Sequence, residues 1–238
     1  MSRGTQNTVL LLIGLSAVVM VIKGTYLHFV RPALLPWLIA AAVVLIALAV
    51  VSIVRDLRHA PSEDSADADG HRHRRWLGWL LLVPISLTTF VVPPPLGARG
   101  ATPVAVAATQ PQRRPFPPLP AGGAPTVSIP DVVMRSAADS TNSLGGRVIT
   151  IAGFTLRYPQ STDLGRVVIV CCAADAQLAR IHLSGPAVAE AAGYPEDTWL
   201  QVEGTVLPGT SVAATNFIPT MAVSRVTRID KPANTYAY

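Results

Sequence analysis

Charged residues are scarce in this sequence, and their distribution is uneven. Asp, Glu, Lys and Arg make up 14% of the 238 residues, whereas an ordinary soluble domain carries about 25%. The deficit is local, because apolar residues dominate before residue 93 and the remainder has an ordinary composition. This segregation favours a membrane region, residues 1–92, followed by a soluble module of about 110 residues, which is large enough to fold on its own core.

Cysteine and catalytic motifs are also rare. The two cysteines are adjacent, at positions 171 and 172, which excludes a long-range disulfide framework. The sequence has no phosphate-binding glycine loop, nucleophile elbow or zincin helix, so we expect a protein that is not an enzyme. The net charge is +5 and only 6% of residues are aromatic. Because the basic residues are dispersed or flank apolar segments, they suit membrane orientation better than nucleic-acid binding.

Three apolar runs predict transmembrane helices. Residues 8–27 and 33–54 each supply the roughly 20 apolar residues that a spanning helix needs, and the short connection between them predicts an antiparallel hairpin. The third run, residues 76–92, is at the lower limit of spanning length and begins with two tryptophans suited to the membrane interface, Trp76 and Trp79. The three runs together predict a multi-pass protein of the cell membrane, with the lipid bilayer as its first partner.

The polar loop at residues 55–75 predicts the orientation of these spans. It contains five arginines, at positions 55, 58, 72, 74 and 75, and arginine-rich loops stay in the cytoplasm. With three spans, everything after Val92 is then extracytoplasmic. If residues 76–92 do not span, the soluble domain stays in the cytoplasm, so the topology depends on this one run.

Residues 93–126 are rich in Pro, Ala and Gly and predict an extended linker, which at about 3.1 Å per residue would lift the domain away from the bilayer. Residues 127–238 predict an all-β or α+β domain. Its order is three strands, a short helix and two strands, which is the order of an OB-type five-stranded barrel. The strands are predicted at 147–156, 166–172, 179–184, 198–206 and 220–229, and the helix at 186–192.

The cysteine pair, with Asp175 three residues after it, is the sharpest chemical feature. It is predicted at the end of the second strand, where neighbouring side chains point to opposite faces, so one thiol is expected in the core and the other in solvent. The pair has a structural reading, as small buried apolar residues, and two functional ones. In the first, Cys171, Cys172 and Asp175, with His182 on the next strand, bind zinc. In the second, the pair forms a vicinal disulfide that acts as a redox switch.

A second metal-binding pattern lies in the polar loop. His71 and His73 form a His-x-His pair close to acidic residues, an arrangement that captures zinc. The alternative is a solvated basic loop that sets membrane orientation. On this sequence the second interpretation is favoured.

Three short motifs carry a family resemblance. They are Pro-Pro-Pro-Leu-Gly at residues 93–97, Cys-Cys-x-Ala-Asp-Ala at 171–176, and Asp-Thr-Trp at 197–199 followed by Val202 and Gly204. With its apolar runs, the chain resembles the YcgQ-like family of bacterial membrane proteins, described as permease subunits with a C-terminal domain of unknown function. The Ala- and Arg-rich composition resembles that of an actinobacterial member. The polar loop departs from the family, because relatives can have far more His and Cys there.

The resemblance implies an accessory, non-catalytic subunit of a multi-span permease, with a link to metal-ion homeostasis. It supplies no catalytic residue. The alternative function is a membrane-anchored thiol redox or metal-binding protein that acts without a permease.

Overall fold

The computed structural model describes residues 3–58, 94–97 and 112–238. Contacts divide the chain into two compact units, Met1–Pro94 and Pro95–Tyr238. The third predicted span, residues 76–92, lies outside the described residues. So do His71 and His73 and most of the polar loop that contains them.

Residues 3–58, the described part of the N-terminal unit before residue 94, form two helices, α1 (Arg3–Ile22) and α2 (Leu35–Arg58), joined by two short 3-10 turns, Thr25–His28 and Pro32–Leu34. The first predicted span was expected to continue to Leu27, but α1 ends five residues earlier. The reason lies at Gly24, whose φ of +70° is the left-handed conformation that glycine adopts without strain and that commonly ends helices.

Small residues let α1 and α2 approach each other closely. A Cβ atom added to Gly14 of α1 would lie 2.7 Å from Cγ1 of Ile46 and 3.3 Å from the carbonyl oxygen of Ala42. Ala42 and Ala49 of α2 are buried. Close backbone approach at small residues is the packing typical of helices in membranes.

Within the described residues, one helix is long and apolar enough to cross a membrane. It runs from Pro32 to Arg55, near the N-terminus, and only 11% of its apolar window is buried, unlike the core helix of a soluble protein. The first predicted span corresponds to a shorter apolar helix, Gln6–Ile22. The described residues therefore give one span that meets the length criterion, where the sequence predicted three over the whole chain.

Over residues 112–238, the C-terminal unit forms a six-stranded mixed sheet with two helices, which confirms the predicted all-β or α+β class. Its strand order is β1-β4-β5-β3-β2-β6, and β1 also pairs with β2, so the pairing of the first five strands returns to its starting strand. The elements are α3 (Ile129–Ala138), β1 (Val148–Tyr158), β2 (Ser161–Val168), β3 (Gln177–Ser184), α4 (Val188–Gly193), β4 (Trp199–Val206), β5 (Thr220–Arg228) and β6 (Tyr236–Ala237).

The buried apolar residues of this unit form two clusters. Ile149 and Ile151 of β1 belong to the first cluster, with Leu164, Ile181, Leu200, Val202, Met221 and Val223. Phe154 and Leu156 belong to the second, with Val167, Ile169, Leu178, Trp199 and Tyr236. Since side chains on a strand alternate between faces, the odd-numbered and even-numbered residues of β1 contact different clusters, and the change occurs at Gly153.

Gly204 marks a second irregularity. A Cβ atom there would lie 2.2 Å from the carbonyl oxygen of Ala222, and the register between β4 and β5 shifts between Glu203 and Gly204. Only a residue without a side chain fits this close backbone approach.

Residues 112–126, assigned to the extended linker by the sequence, pack against the domain. Leu119 is 7% exposed and lies in the first cluster. The carbonyl oxygen of Pro117 accepts a hydrogen bond from Arg135 at 2.7 Å, and that of Pro120 accepts one from Arg147 at 3.0 Å. The packed unit therefore begins earlier than residue 127.

The short segment at residues 95–97, at the start of this unit, also contacts the rest of the domain. The backbone N–H of Leu96 donates a hydrogen bond to the Tyr236 hydroxyl at 2.8 Å, and the Leu96 side chain packs on the second cluster. Tyr236 is 1% exposed, so this contact joins the first and last parts of the C-terminal unit through a buried side chain.

Candidate metal site

The cysteine pair lies in the loop between β2 and β3, not on a strand. β2 ends at Val168 and β3 begins at Gln177, and a 3-10 turn, Ala173–Asp175, occupies part of the loop. Cys171 is exposed and Cys172 is half-buried. The prediction of a strand through residue 172 with one thiol in the core is therefore wrong.

The carboxylate of Asp175 explains why the strand stops. Its Oδ1 accepts the backbone N–H of Val170 at 2.8 Å. Its Oδ2 accepts those of Cys171 at 2.8 Å and Cys172 at 3.3 Å. Three consecutive N–H groups thus converge on one side chain instead of donating to a neighbouring strand, and the backbone N–H of Asp175 returns a hydrogen bond to the Cys172 carbonyl at 3.0 Å. The backbone of the loop therefore folds around the side chain of Asp175.

These contacts shift the pKa values of the Asp175 carboxyl and the Cys171 thiol in opposite directions. The pKa of Asp175 is lowered to about 2, because the Cys171 thiol and then the backbone N–H groups of Cys171 and Val170 donate to the carboxylate. The pKa of the Cys171 thiol is raised to about 11, first by its hydrogen bond to Asp175 and then by its hydrogen bond to Cys172. Without a cation nearby, Cys171 is therefore protonated at neutral pH.

The three side chains offer a compact set of metal ligands. The two Sγ atoms are 3.7 Å apart, and one ligand atom from each of Cys171, Cys172 and Asp175 lies within 4.8 Å of the other two. Two sulfurs that are each about 2.3 Å from a tetrahedral zinc ion lie about 3.8 Å apart, so the separation fits such an ion. Each carboxylate oxygen accepts more than one contact, so Asp175 can hold the loop and also bind a cation.

His182 does not join this group. On β3 it lies opposite Asp163 of β2 in the strand register, and its Nδ1 is 2.7 Å from Oδ1 of Asp163. Arg180 approaches the other carboxylate oxygen at 3.4 Å. Asp163 is 3% exposed, so this cluster satisfies a buried acid in the sheet.

The sequence does not indicate a role for Asp163, because Ser161–Leu164 has little of the β-branched character that predicts a strand. The role of Val170 was missed for another reason. It acts through its backbone N–H, which no side-chain motif can indicate.

Residues 132–238 match the DUF1980 C-terminal domain. The matched segment begins inside α3 and includes all six strands and the Cys-Cys-x-Ala-Asp loop. The resemblance drawn from the motifs is confirmed at this level, a C-terminal domain of unknown function, and the YcgQ-like and actinobacterial assignments stay predictions. No curated protein and no solved structure matches the chain.

Proposed function

We propose that the DUF1980-like domain binds a divalent metal ion of the zinc class through Cys171, Cys172 and Asp175. The observation that carries the proposal is the 3.7 Å separation of the two Sγ atoms beside a carboxylate. A tetrahedral ion with two thiolate ligands requires such a separation. Adjacent cysteines on a regular strand would point apart, so the loop geometry is what makes joint binding feasible.

The electrostatic environment of Cys171 and Cys172 favours the binding of a cation over a redox reaction of the two thiols. The hydrogen bond of the Cys171 thiol to the Asp175 carboxylate, and then its hydrogen bond to Cys172, stabilise the protonated thiol and raise its pKa to about 11. A dication reverses this effect, because it is attracted by the carboxylate and displaces the thiol proton. Disulfide formation requires a free thiolate as the attacking group. In that reaction the loss of the thiol proton is not offset by the binding of a cation. The thiol redox alternative is therefore the weaker one, although the sulfurs are close.

For the fold, the proposal includes an OB-type five-stranded barrel. The pairing of β1 with both β2 and β4 supports a closed sheet, and α4 between β3 and β4 occupies the position that the helix has in OB folds. In such a barrel the β2–β3 loop is free to carry a ligand site while the strands form the core.

For the N-terminal region, the proposal is a multi-pass anchor in the cell membrane that presents the domain outside the cytoplasm and docks on a multi-span permease. The apolar Pro32–Arg55 helix supports membrane insertion. Its exposed apolar side chains, which include Trp37, Val43 and Val44, offer a surface for lipid or for partner helices. The accessory subunit would bring a metal-binding domain to the permease.

Two experiments test these parts separately. Metal content is measured on the full chain purified in detergent, wild type against Cys171→Ser/Cys172→Ser, with His182→Ala as the matched control. Zinc retained by the wild type and by the His182 variant, and lost from the double variant, supports the site.

A topology reporter fused after Tyr238, together with affinity purification from native membranes, tests the anchor and its partner. Cytoplasmic reporter activity, or recovery without a multi-span protein, contradicts that part.

A further inference from the structure

We propose that the Cys171–Cys172–Asp175 site is an exchange site, which passes its ion directly to an acceptor with thiolate or imidazole ligands. This inference rests on the proposed metal-binding function and adds a partner chemistry to it. The site would load and unload by ligand substitution, with the ion bound to both donors at an intermediate stage.

The first reason to infer an exchange site is the number of protein ligands. Among the described residues, the group of His, Cys, Asp and Glu side chains at this loop has three members, and His182 is not one of them. Structural zinc sites are closed by four protein ligands, whereas sites that react keep a position open. A tetrahedral ion held by Cys171, Cys172 and Asp175 therefore keeps one position for an outside ligand.

The exposure of the loop gives that ligand access. Val170 is 63% exposed, and Cys171 and Ala174 are also exposed. Cys171 is thus open to solvent, while Cys172 and Asp175 are half-buried beside it, so an acceptor can approach the ion from the side of Cys171.

The loop is also anchored well enough to bind and release an ion without unfolding. Ile169 at its start is fully buried in the second cluster, and Ala176 at its end packs on the same cluster. Between them, the Asp175 carboxylate fixes three backbone N–H groups. Because these contacts do not depend on the ion, the ligand positions persist when it leaves.

Asp175 is the ligand that would be displaced first. Its two carboxylate oxygens already accept three backbone hydrogen bonds, so less of their electron density is available to a metal than that of a thiolate. A carboxylate is also a harder ligand than a thiolate. In the exchange, the bond from the ion to Asp175 breaks as a bond to an acceptor thiolate forms. Each acceptor thiol that binds the ion releases one proton to solvent, whereas an acceptor imidazole binds through a neutral nitrogen and releases none. Each of the two cysteine thiolates that leaves the ion takes up one proton from solvent.

The test uses the full chain in detergent, loaded with Co²⁺, whose thiolate charge-transfer band reports bound metal. The loaded protein is mixed with a peptide acceptor that contains two cysteines and two histidines, over a tenfold range of concentration in excess. An exchange site gives a transfer rate that rises at least fivefold over that range. A rate that stays constant shows dissociation before capture, as in a closed site, and overturns the inference. Absence of the thiolate band before mixing overturns the proposed function itself, so the two failures are distinguishable.

Discussion

The carboxylate of Asp175 accepts the backbone N–H of Cys171 at 2.8 Å while the Cys171 thiol also donates to it. One acid therefore determines both the shape of the loop and the acidity of its exposed cysteine. The same acid is the third candidate ligand. Most of the behaviour expected of this loop follows from that shared role.

Replacement of Asp175 should loosen the loop. In Asp175→Ala the N–H groups of Val170, Cys171 and Cys172 lose their acceptor, and we expect their amide hydrogen exchange to accelerate at least tenfold at pH 7. Asp175→Asn retains one acceptor oxygen and should show a smaller acceleration.

The protection of these three amides by the Asp175 carboxylate should also depend on pH. The pKa of Asp175 is lowered to about 2 from about 3.9 in an unfolded chain, so protection is full above pH 4 and is lost as the pH falls towards 2. Equal exchange in wild type and Asp175→Ala would contradict this role.

Metal affinity should rise with pH. The thiol pKa of Cys171 is raised to about 11, so an ion must displace its proton at neutral pH. Each thiol proton released on binding adds about one logarithmic unit of affinity per pH unit. Competition titrations between pH 6 and 8 should give a positive slope for the wild type that is steeper, by about one logarithmic unit per pH unit, than the slope for Cys171→Ser. A flat profile would exclude thiolate ligands.

The contact between Leu96 and Tyr236 should contribute to stability. Tyr236→Phe removes the acceptor of the Leu96 N–H, and loss of such a hydrogen bond costs about 1 kcal/mol. Tyr238→Phe is the matched control, because its hydroxyl bonds to Asn234 on an exposed side chain and its loss should cost less than about 0.5 kcal/mol. Denaturant titration of the full chain in detergent measures both. Equal effects would show that the buried hydroxyl is not needed.

Gly204 should tolerate no side chain. Its added Cβ would lie 2.2 Å from the backbone oxygen of Ala222, and a backbone atom cannot move aside as a side chain can. We expect Gly204→Ala to destabilise the domain by about 2–3 kcal/mol. Gly123→Ala is the control, since a Cβ there meets nothing within 4 Å. A Gly204→Ala variant as stable as this control would indicate that the strands can separate at the β4–β5 irregularity.

Strand signals were strongest where the sequence alternates or is rich in β-branched residues. The bounds of β1, β3, β4 and β5 were predicted within two residues of those observed. β2 was displaced along the chain, because the run Val167–Cys172 reads as a strand while the ladder ends at Val168. The backbone N–H groups of residues 170–172 donate to the Asp175 carboxylate instead. Strand propensity does not predict this contact.

Helix α3 and the packing of residues 112–126 were missed for different reasons. The helix had a local signal, Ser128 followed by Pro130 and Asp131, and Ser128 caps it by accepting the Asp131 N–H at 3.3 Å. The proline-rich segment had none, because its contacts use backbone carbonyls that accept from arginines far along the chain. The cysteine pair and its acid were found from sequence, but the exposure of Cys171 and the half-burial of Cys172 depended on the loop geometry.

The central claim is that Cys171 and Cys172 bind one ion together. X-ray absorption at the zinc edge of the zinc-loaded full chain measures this most directly. The account predicts two sulfurs at about 2.3 Å with lighter ligands at about 2.0–2.2 Å, the same shell in His182→Ala, and loss of the sulfur shell in Cys171→Ser/Cys172→Ser. A wild-type shell that contains only oxygen or nitrogen would contradict it.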